Sequence, residues 1–258
     1  MEEPLPAGGS CLLGSLNLAE FVINPFTKDA KVDFDGLQKA TKQAVIALNE
    51  VLIEGLPLHP LQVQRDSVRD WRQIGLGTFG LYDCLVKLGV KYGSPQSLTC
   101  IRSIFEAIAW TAILTSLELA KEKGCYPKCN KEALAESSFI KAMGLPKVIL
   151  DEIREYGLYN SQLLTCAPTG SISTMLGVSS GVEPAYALSF NRRTVSLNKE
   201  ETVYKVDIDI VKQYKEATGN TELPDYFVTS YTINPYDRLK VQAELQHYID
   251  ASINKLVA

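Results

Sequence analysis

Hydrophobic residues recur three and four positions apart along much of this chain, which is the spacing of a helix with one buried face. The pattern predicts a long helix over residues 34–54 and a second helical region over 68–90 that glycines interrupt. Ser94 and Pro95 form a cap and a first turn, so a helix is predicted from there to Lys123, with Gly124 ending it. Further helices are predicted over 130–142, 146–156 and 202–217, and from Asp237 to the end of the chain.

Short apolar segments between these helices predict a few strands. They lie at residues 162–166, 185–193 and 223–229. We find no internal repeat and no flexible linker, so residues 1–258 are expected to form a single domain. Long helices alternating with a few short strands favour an α/β layer or barrel architecture.

Composition and charge limit the function classes. The chain has 258 residues, of which 46% are hydrophobic and 22% charged, with a net charge of −4. It therefore lacks the general basic field that attracts nucleic acid, and no nucleic-acid partner is expected. Glu106 and Glu118 interrupt the most apolar stretch, so no membrane span is expected either. The first residues lack the features of a signal peptide, which predicts a cytoplasmic protein.

Six cysteines without a signal peptide indicate reduced thiols. Cys125 and Cys129 are four positions apart, but the chain has only two histidines, His59 and His247, and neither lies near them in sequence. No metal site is therefore expected, and these thiols are interpreted as buried or incidental. Cys11 follows a segment rich in glycine and serine, which is consistent with an accessible thiol suited to redox work. From the residues alone, a buried structural thiol is the default interpretation.

The most informative segment directly follows the predicted strand at 162–166. It combines a stiff proline, a glycine and three alternating hydroxyls, and these features predict a loop that presents N–H and O–H donors to one anion, with a helix beginning after it. An ordinary turn with a helix cap is the alternative. The predicted phosphate-binding residues are Ala167, Pro168, Thr169, Gly170, Ser171, Ile172 and Ser173.

Gly75, Gly77 and Gly80 match the spacing of a dinucleotide-binding fingerprint. The preceding residues are too charged for a buried strand, and no acidic residue ends a second strand at the required distance. We interpret these glycines as a close crossing of two helices, and nicotinamide binding is not expected.

Several of these segments, in this order, resemble the catalytic subunit of ribonucleotide reductase. The similar runs are Glu-Glu-Pro-Leu with the Cys11 segment, the glycine-rich segment at 72–81, the loop at 160–173 with the run at 177–184, the segment at 223–229, and the segments at 241–243 and 248–253. The resemblance covers the whole chain and is closest to the adenosylcobalamin-dependent branch. It implies the C-terminal portion of a ten-stranded, helix-rich α/β barrel.

The resemblance also implies roles for individual residues. Glu2 matches a glutamate that takes the proton of the ribose 3′-hydroxyl, and Cys11 matches one of two cysteines that reduce the sugar. Residues 167–173 match the loop that binds the substrate phosphates. Adenosylcobalamin would bind largely outside this chain, and a metal-radical small subunit is the alternative radical source.

In the family, a cysteine just before the matched glutamate carries the thiyl radical, and Met1 follows the place where it would stand. The resemblance therefore implies a chain that is inactive alone, with the N-terminal half of the reductase, a ribonucleotide and a thioredoxin-type reductant as partners. A half-barrel would also expose strand edges and apolar surface, which predicts self-association. The alternative is a non-catalytic half-barrel that binds nucleotide phosphates or a partner chain.

Overall fold

The computed structural model describes residues 5–195 and 201–254. Its helices are α1 (Phe34–Gly55), α2 (Gln62–Trp71), α3 (Leu81–Lys87), α4 (Pro95–Lys123), α5 (Lys131–Ala135), α6 (Ser138–Ala142), α7 (Lys147–Tyr156), α8 (Gly170–Leu176), α9 (Asp209–Thr218) and α10 (Pro235–Gln246). Its strands are β1 (Leu13–Asn17), β2 (Val22–Ile23), β3 (Lys31–Val32), β4 (Gly75–Phe79), β5 (Ser189–Val195) and β6 (Glu201–Asp207). The part described is therefore rich in helix, as the sequence predicts.

The two longest helices begin and end where their local sequence predicts. Asp33 caps α1 by accepting a hydrogen bond from the Gly36 N–H at 3.0 Å, and Ser94 caps α4 through the Ser97 N–H at 3.2 Å. Each cap satisfies a donor that the first turn leaves without an intrahelical partner. The two helices pack against each other. These predictions are confirmed, as is the one for α7. The single helix predicted over 130–142 is instead two short helices, α5 and α6, because Ser137 caps a new helix.

Helix α4 requires a correction to the expectation about membranes. Its length and a mean hydropathy of 1.4 over its most apolar window would allow it to cross a membrane, despite Glu106 and Glu118. However, α1, α7 and α10 pack around it, and residues such as Ile104, Ile108 and Ile113 are buried in the hydrophobic core. It therefore has the surroundings of a core helix in a soluble domain.

Parallel pairing forms an arc of four strand segments. β1 pairs with β4 from Leu13↔Gly75 to Asn17↔Phe79. A parallel bridge joins Leu76 to Leu164, and another joins Cys166 to Ile253. Parallel strands need their connections on the faces of the sheet, and helices supply them here. Leu16, Leu76 and Leu164 accordingly belong to one hydrophobic core with residues of α1 and α4.

The glycine-rich segment at 75–80 is strand β4 followed by the residue that precedes α3, and not a helix crossing, so that interpretation is wrong. All five residues of β4 are buried. A Cβ atom at Gly77 would lie 2.2 Å from the carbonyl oxygen of Thr165 on the neighbouring segment. Glycine is needed there because the adjacent backbone occupies the space of any side chain.

Three other element predictions fail toward the C-terminus. Residues 201–207 form β6, an antiparallel partner of β5, and only 209–218 are helical. Residues 223–229 form a turn in which the Phe227 N–H donates to the carbonyl of Pro224 at 3.1 Å. The last helix ends at Gln246, after which the chain turns at residues 247–248 and reaches the sheet at Ile253.

Candidate active site

The predicted phosphate loop lies directly after the third segment of the parallel arc. Cys166 is the last residue of that segment, and Thr169 then takes a left-handed conformation with φ of 55°. This turn starts α8 at Gly170. Residues 170–172 are exposed, whereas Ser173 is buried. The sequence prediction of a strand, a tight loop and a helix is thus confirmed in outline.

Two of the three loop hydroxyls hold the shape of the loop. The Thr169 Oγ1 atom accepts a hydrogen bond from the Gly181 N–H at 2.8 Å. The Ser173 Oγ atom lies 2.8 Å from the Ser180 Oγ atom and donates to the Gly170 carbonyl at 3.1 Å. The contacts Thr169–Gly181 and Ser173–Ser180 fix the loop against the segment that follows α8, and we call this pair of contacts the clasp.

The remaining donors of the loop face outward. Ser171 is exposed, and its hydroxyl makes no hydrogen bond within the part of the chain described. The N–H groups of Gly170, Ser171 and Ile172 belong to the first turn of α8, where helices leave such groups without an intrahelical partner. One hydroxyl and three amides are therefore available to an anion.

The buried carboxyl group of Asp83 holds Ser179, the residue just before the clasp residues Ser180 and Gly181. The Asp83 Oδ2 atom accepts a hydrogen bond from the Ser179 N–H at 2.7 Å, and the Gly80 N–H donates to the Ser179 carbonyl at 2.8 Å. Burial is the main cause that raises the pKa of Asp83, and the bond from Ser179 opposes it. Asp83 has no sequence motif, because its partner is a backbone group nearly a hundred positions away.

Asp250 fixes the segment that leads into the loop. Its two carboxylate oxygens accept hydrogen bonds from the N–H groups of Leu163 at 2.9 Å and Leu164 at 2.7 Å. Burial raises the pKa of Asp250 to about 6, against the opposing effect of these two donors. The Cys166 N–H donates to the Ser252 carbonyl at 3.0 Å just beyond them. No motif in the sequence indicates this anchor, because its partners are backbone groups far away along the chain.

Cys11 lies two residues before β1, at the start of the strands. Cys11 is exposed. It lines a cavity of about 290 Å³ together with Leu52, His59 and Gln73. An exposed thiol agrees with the sequence interpretation of Cys11 as accessible. The redox role itself remains a prediction.

The strand register gives the relation between Cys11 and the loop. Gly14 lies beside Leu76, and Leu76 lies beside Leu164, so Gly14 and Leu164 are at the same height in the sheet. Cys11 is three residues before Gly14 and Ala167 is three residues after Leu164, so the two differ by six residues in height. At about 3.3 Å per residue, this places the two backbones roughly 20 Å apart along the strands.

The other cysteines differ in their surroundings. Cys84 and Cys166 are buried, and burial raises the pKa of Cys166 to about 12. Within residues 5–195 and 201–254, no group of three or more His, Cys, Asp or Glu side chains could hold a metal ion. Glu2, the predicted general base, lies outside the described residues.

Comparison with known proteins decides the family. The chain matches the family described as ribonucleotide reductase, barrel domain, over residues 1–257. The chain belongs to this family. The strand, loop and helix at 162–176 and the parallel arc are therefore parts of a reductase barrel domain, as the resemblance implied.

Its relatives include reductases of two kinds. The chain is 29% identical to a vitamin B12-dependent ribonucleoside-diphosphate reductase of Mycobacterium tuberculosis (strain ATCC 25618 / H37Rv), an alignment that covers 99% of this chain and 35% of the relative. It is 30% identical to a protein of the same name from Thermoplasma acidophilum, covering 99% and 33%. It is 29% identical to the ribonucleoside-diphosphate reductase large subunit of vaccinia virus (strain Copenhagen), covering 92% and 34%. The chain thus spans about a third of the length of these relatives.

Proposed function

We propose that this chain supplies the phosphate-binding and part of the reducing machinery of a ribonucleotide reductase catalytic subunit, in the cytoplasm. The observation that carries this proposal is the match of the barrel-domain family over residues 1–257. The names of the relatives favour ribonucleoside diphosphates as substrates. Residues 1–258 would act as one domain within the larger protein.

The loop at residues 167–173 would bind the substrate phosphates. Ser171 and the N–H groups of residues 170–172 are the donors available to an anion, and the clasp holds them in place before a ligand arrives. Amide and hydroxyl donors suit a protein with a net charge of −4, because they attract phosphate without a basic surface.

Cys11 would reduce the sugar together with a second thiol from outside this chain. The ribose 2′-hydroxyl leaves as water, and the two thiols give up two electrons and become a disulfide, which a thioredoxin-type dithiol then reduces. Glu2 would take the proton of the 3′-hydroxyl as a general base. The exposure of Cys11 supports this role, because a thiol that is reduced again after each turnover must be reachable.

Vitamin B12-dependent relatives favour adenosylcobalamin as the cofactor that generates the radical. Three cavities lined by described residues have volumes of about 290, 480 and 610 Å³, in the range that suits drug-sized ligands. Adenosylcobalamin is larger, so these cavities do not enclose it. We therefore assign none of the described residues to the cofactor, which would bind mainly to other parts of the reductase.

The remainder of the barrel would join the chain along β1. Within the part of the chain described, β1 pairs with β4 alone, and its other edge is open. Leu13 on this strand is 43% exposed. An open edge beside exposed apolar surface suits a further strand of the barrel, and it would favour self-association when that strand is absent.

The test combines this chain with a polypeptide that carries the preceding barrel half of a B12-dependent relative. Adenosylcobalamin, a ribonucleoside diphosphate and a dithiol are added, and deoxyribonucleotide formation is measured by chromatography. We expect turnover with the wild-type chain and none with Cys11→Ser. Cys100→Ser is the control, since Cys100 lies on α4 away from the sheet edge and should retain turnover.

A stable complex that forms no deoxyribonucleotide would contradict the reductase proposal. If that complex still bound nucleotide, the result would favour the non-catalytic half-barrel instead. Turnover that survives Cys11→Ser would overturn the role of Cys11 while leaving the family role intact.

A further inference from the structure

Two cysteines outside the proposed active site lie side by side where α4 and α7 end. Cys125 follows Gly124 at the end of α4, and Gly157 ends α7. A Cβ atom placed on Gly157 would lie 3.1 Å from the Cys129 Sγ atom and 3.4 Å from the Cys125 Sγ atom. Both sulfur atoms therefore border the same point in space.

The backbone holds the pair in this arrangement. The Cys129 N–H donates to the Tyr126 carbonyl at 2.9 Å, which closes a tight turn between the cysteines. The Tyr126 N–H in turn donates to the Leu158 carbonyl at 3.1 Å. The two cysteines are half-buried, whereas Pro127 and Lys128 between them are exposed. A small thiol or a protein dithiol can thus approach the turn from solvent.

The two cysteines therefore share a buried edge and a solvent-exposed turn. Burial is the largest effect on the Cys129 thiol and raises its pKa, while the neighbouring Tyr126 and Leu158 act in the opposite direction.

We propose that Cys125 and Cys129 are a second dithiol–disulfide couple of this protein, separate from Cys11. The pair exchanges with disulfide-containing molecules in solution, of which glutathione disulfide is the simplest. This assignment revises the interpretation of both cysteines as incidental thiols, and it does not depend on the proposed reductase function.

The exchange balances as follows. The Cys125 thiolate attacks one sulfur of the external disulfide and releases one thiol, and the Cys129 thiolate then displaces the second thiol to form the internal disulfide. Two electrons pass to the external disulfide, and its two sulfurs take up the two protons of the pair. In the reverse direction, a dithiol attacks the Cys125 sulfur and Cys129 leaves as a thiolate.

The short separation in sequence favours a reversible bond over a structural one. A disulfide between residues four positions apart closes a very short loop, which restricts the unfolded chain little and so adds little stability. Such a bond forms because the sulfurs are close and is lost readily to a dithiol.

The test uses the full chain equilibrated with glutathione buffers from fully reduced to fully oxidised. The reaction is stopped by alkylation, and intact mass and peptide mapping follow. We expect the wild type to lose two hydrogens through a bond between Cys125 and Cys129 and to regain them on addition of a dithiol. Cys125→Ser and Cys129→Ser cannot form this internal bond, and we expect glutathione to be attached to the remaining cysteine instead. Cys100→Ser, which removes another half-buried thiol, should behave as the wild type does.

The wild-type peptide map alone decides the proposal, so a variant that fails to fold does not obscure it. Alkylation of both Cys125 and Cys129 in fully oxidised buffer would overturn it. A bond from either cysteine to Cys11, to Cys100 or to a second chain would overturn it as well.

Discussion

Replacing Gly77 with alanine tests how closely the strands of the arc approach each other. The new Cβ atom would lie 2.2 Å from the Thr165 carbonyl oxygen, compared with about 3.5 Å for an ordinary contact. The obstructing atom belongs to the backbone, so it cannot rotate away. The two segments must therefore separate by more than about 1 Å, judged from that same contact distance.

This separation strains the hydrogen bonds that join the segments. The Leu76 N–H donates to the Leu163 carbonyl at 2.8 Å, and the Thr165 N–H donates to the Leu76 carbonyl at 3.0 Å. Each bond contributes about 1 kcal/mol, and overpacking costs about 1–3 kcal/mol. Alanine recovers about 0.5–1 kcal/mol by restricting the unfolded chain. We expect a net loss of about 2–4 kcal/mol in the free energy of unfolding.

Gly14→Ala is the matched control on the paired strand. Its Cβ atom would lie 3.2 Å from the Leu48 Cδ1 atom, which is the end of a flexible side chain. We expect this variant to stay within about 1 kcal/mol of the wild type, because such a side chain can adjust. Urea unfolding gives both values, and Gly77→Ala should also melt roughly 5–15 °C lower. Equal stability of the two variants would refute the argument that backbone contact dictates glycine at position 77.

Three other changes test the loop, its anchor and the cysteine pair. Ser171→Asp places a negative charge among the loop donors, so we expect nucleoside diphosphate binding measured by calorimetry to weaken at least tenfold, with helix stability retained. Ser171→Asn is the neutral control. Equal affinities of the two variants would contradict the phosphate site. Because the pKa of Asp250 is raised from 3.8 to about 6, its contribution to stability is complete below pH 4 and is lost as the pH rises through 6. The wild type should thus lose about 3 kcal/mol over that range relative to Asp250→Asn, and parallel pH profiles of urea unfolding would refute this. Gly157→Ala places a Cβ atom beside both sulfur atoms and should slow formation of the Cys125–Cys129 disulfide in the glutathione assay. Gly144→Ala is the control, because Gly144 also has a positive φ, of +60°, but has open space around it. Equal rates of disulfide formation in the two variants would contradict the proposed position of the sulfurs next to Gly157.

Local signals in the sequence were sufficient for the long helices and the candidate loop. Ser94, Pro95 and Gly124 mark the ends of α4 directly, and the hydroxyls and glycine of 167–173 mark the loop before α8. These predictions succeeded because capping and turn formation depend on neighbours within a few residues.

Features that depend on distant parts of the chain were not predictable in this way. Gly75 and Gly77 were interpreted as a helix crossing because the charged residues before them do not suit a buried strand, and only the position of Thr165 explains why glycine is required at Gly77. Asp83 and Asp250 were missed for the same reason, since each binds backbone N–H groups more than eighty positions away. A single sequence contains no spacing that reveals such partners.

The clasp has a consequence for the thermodynamics of ligand capture. Because the Thr169 and Ser173 side chains already hold Gly181 and Ser180, little backbone remains to be immobilised when a phosphate arrives. Ordering costs that usually offset binding energy are therefore small at this loop. If the loop binds a phosphate, ordering of its backbone should subtract little from the affinity, and the on-rate should not be slowed by a preceding rearrangement.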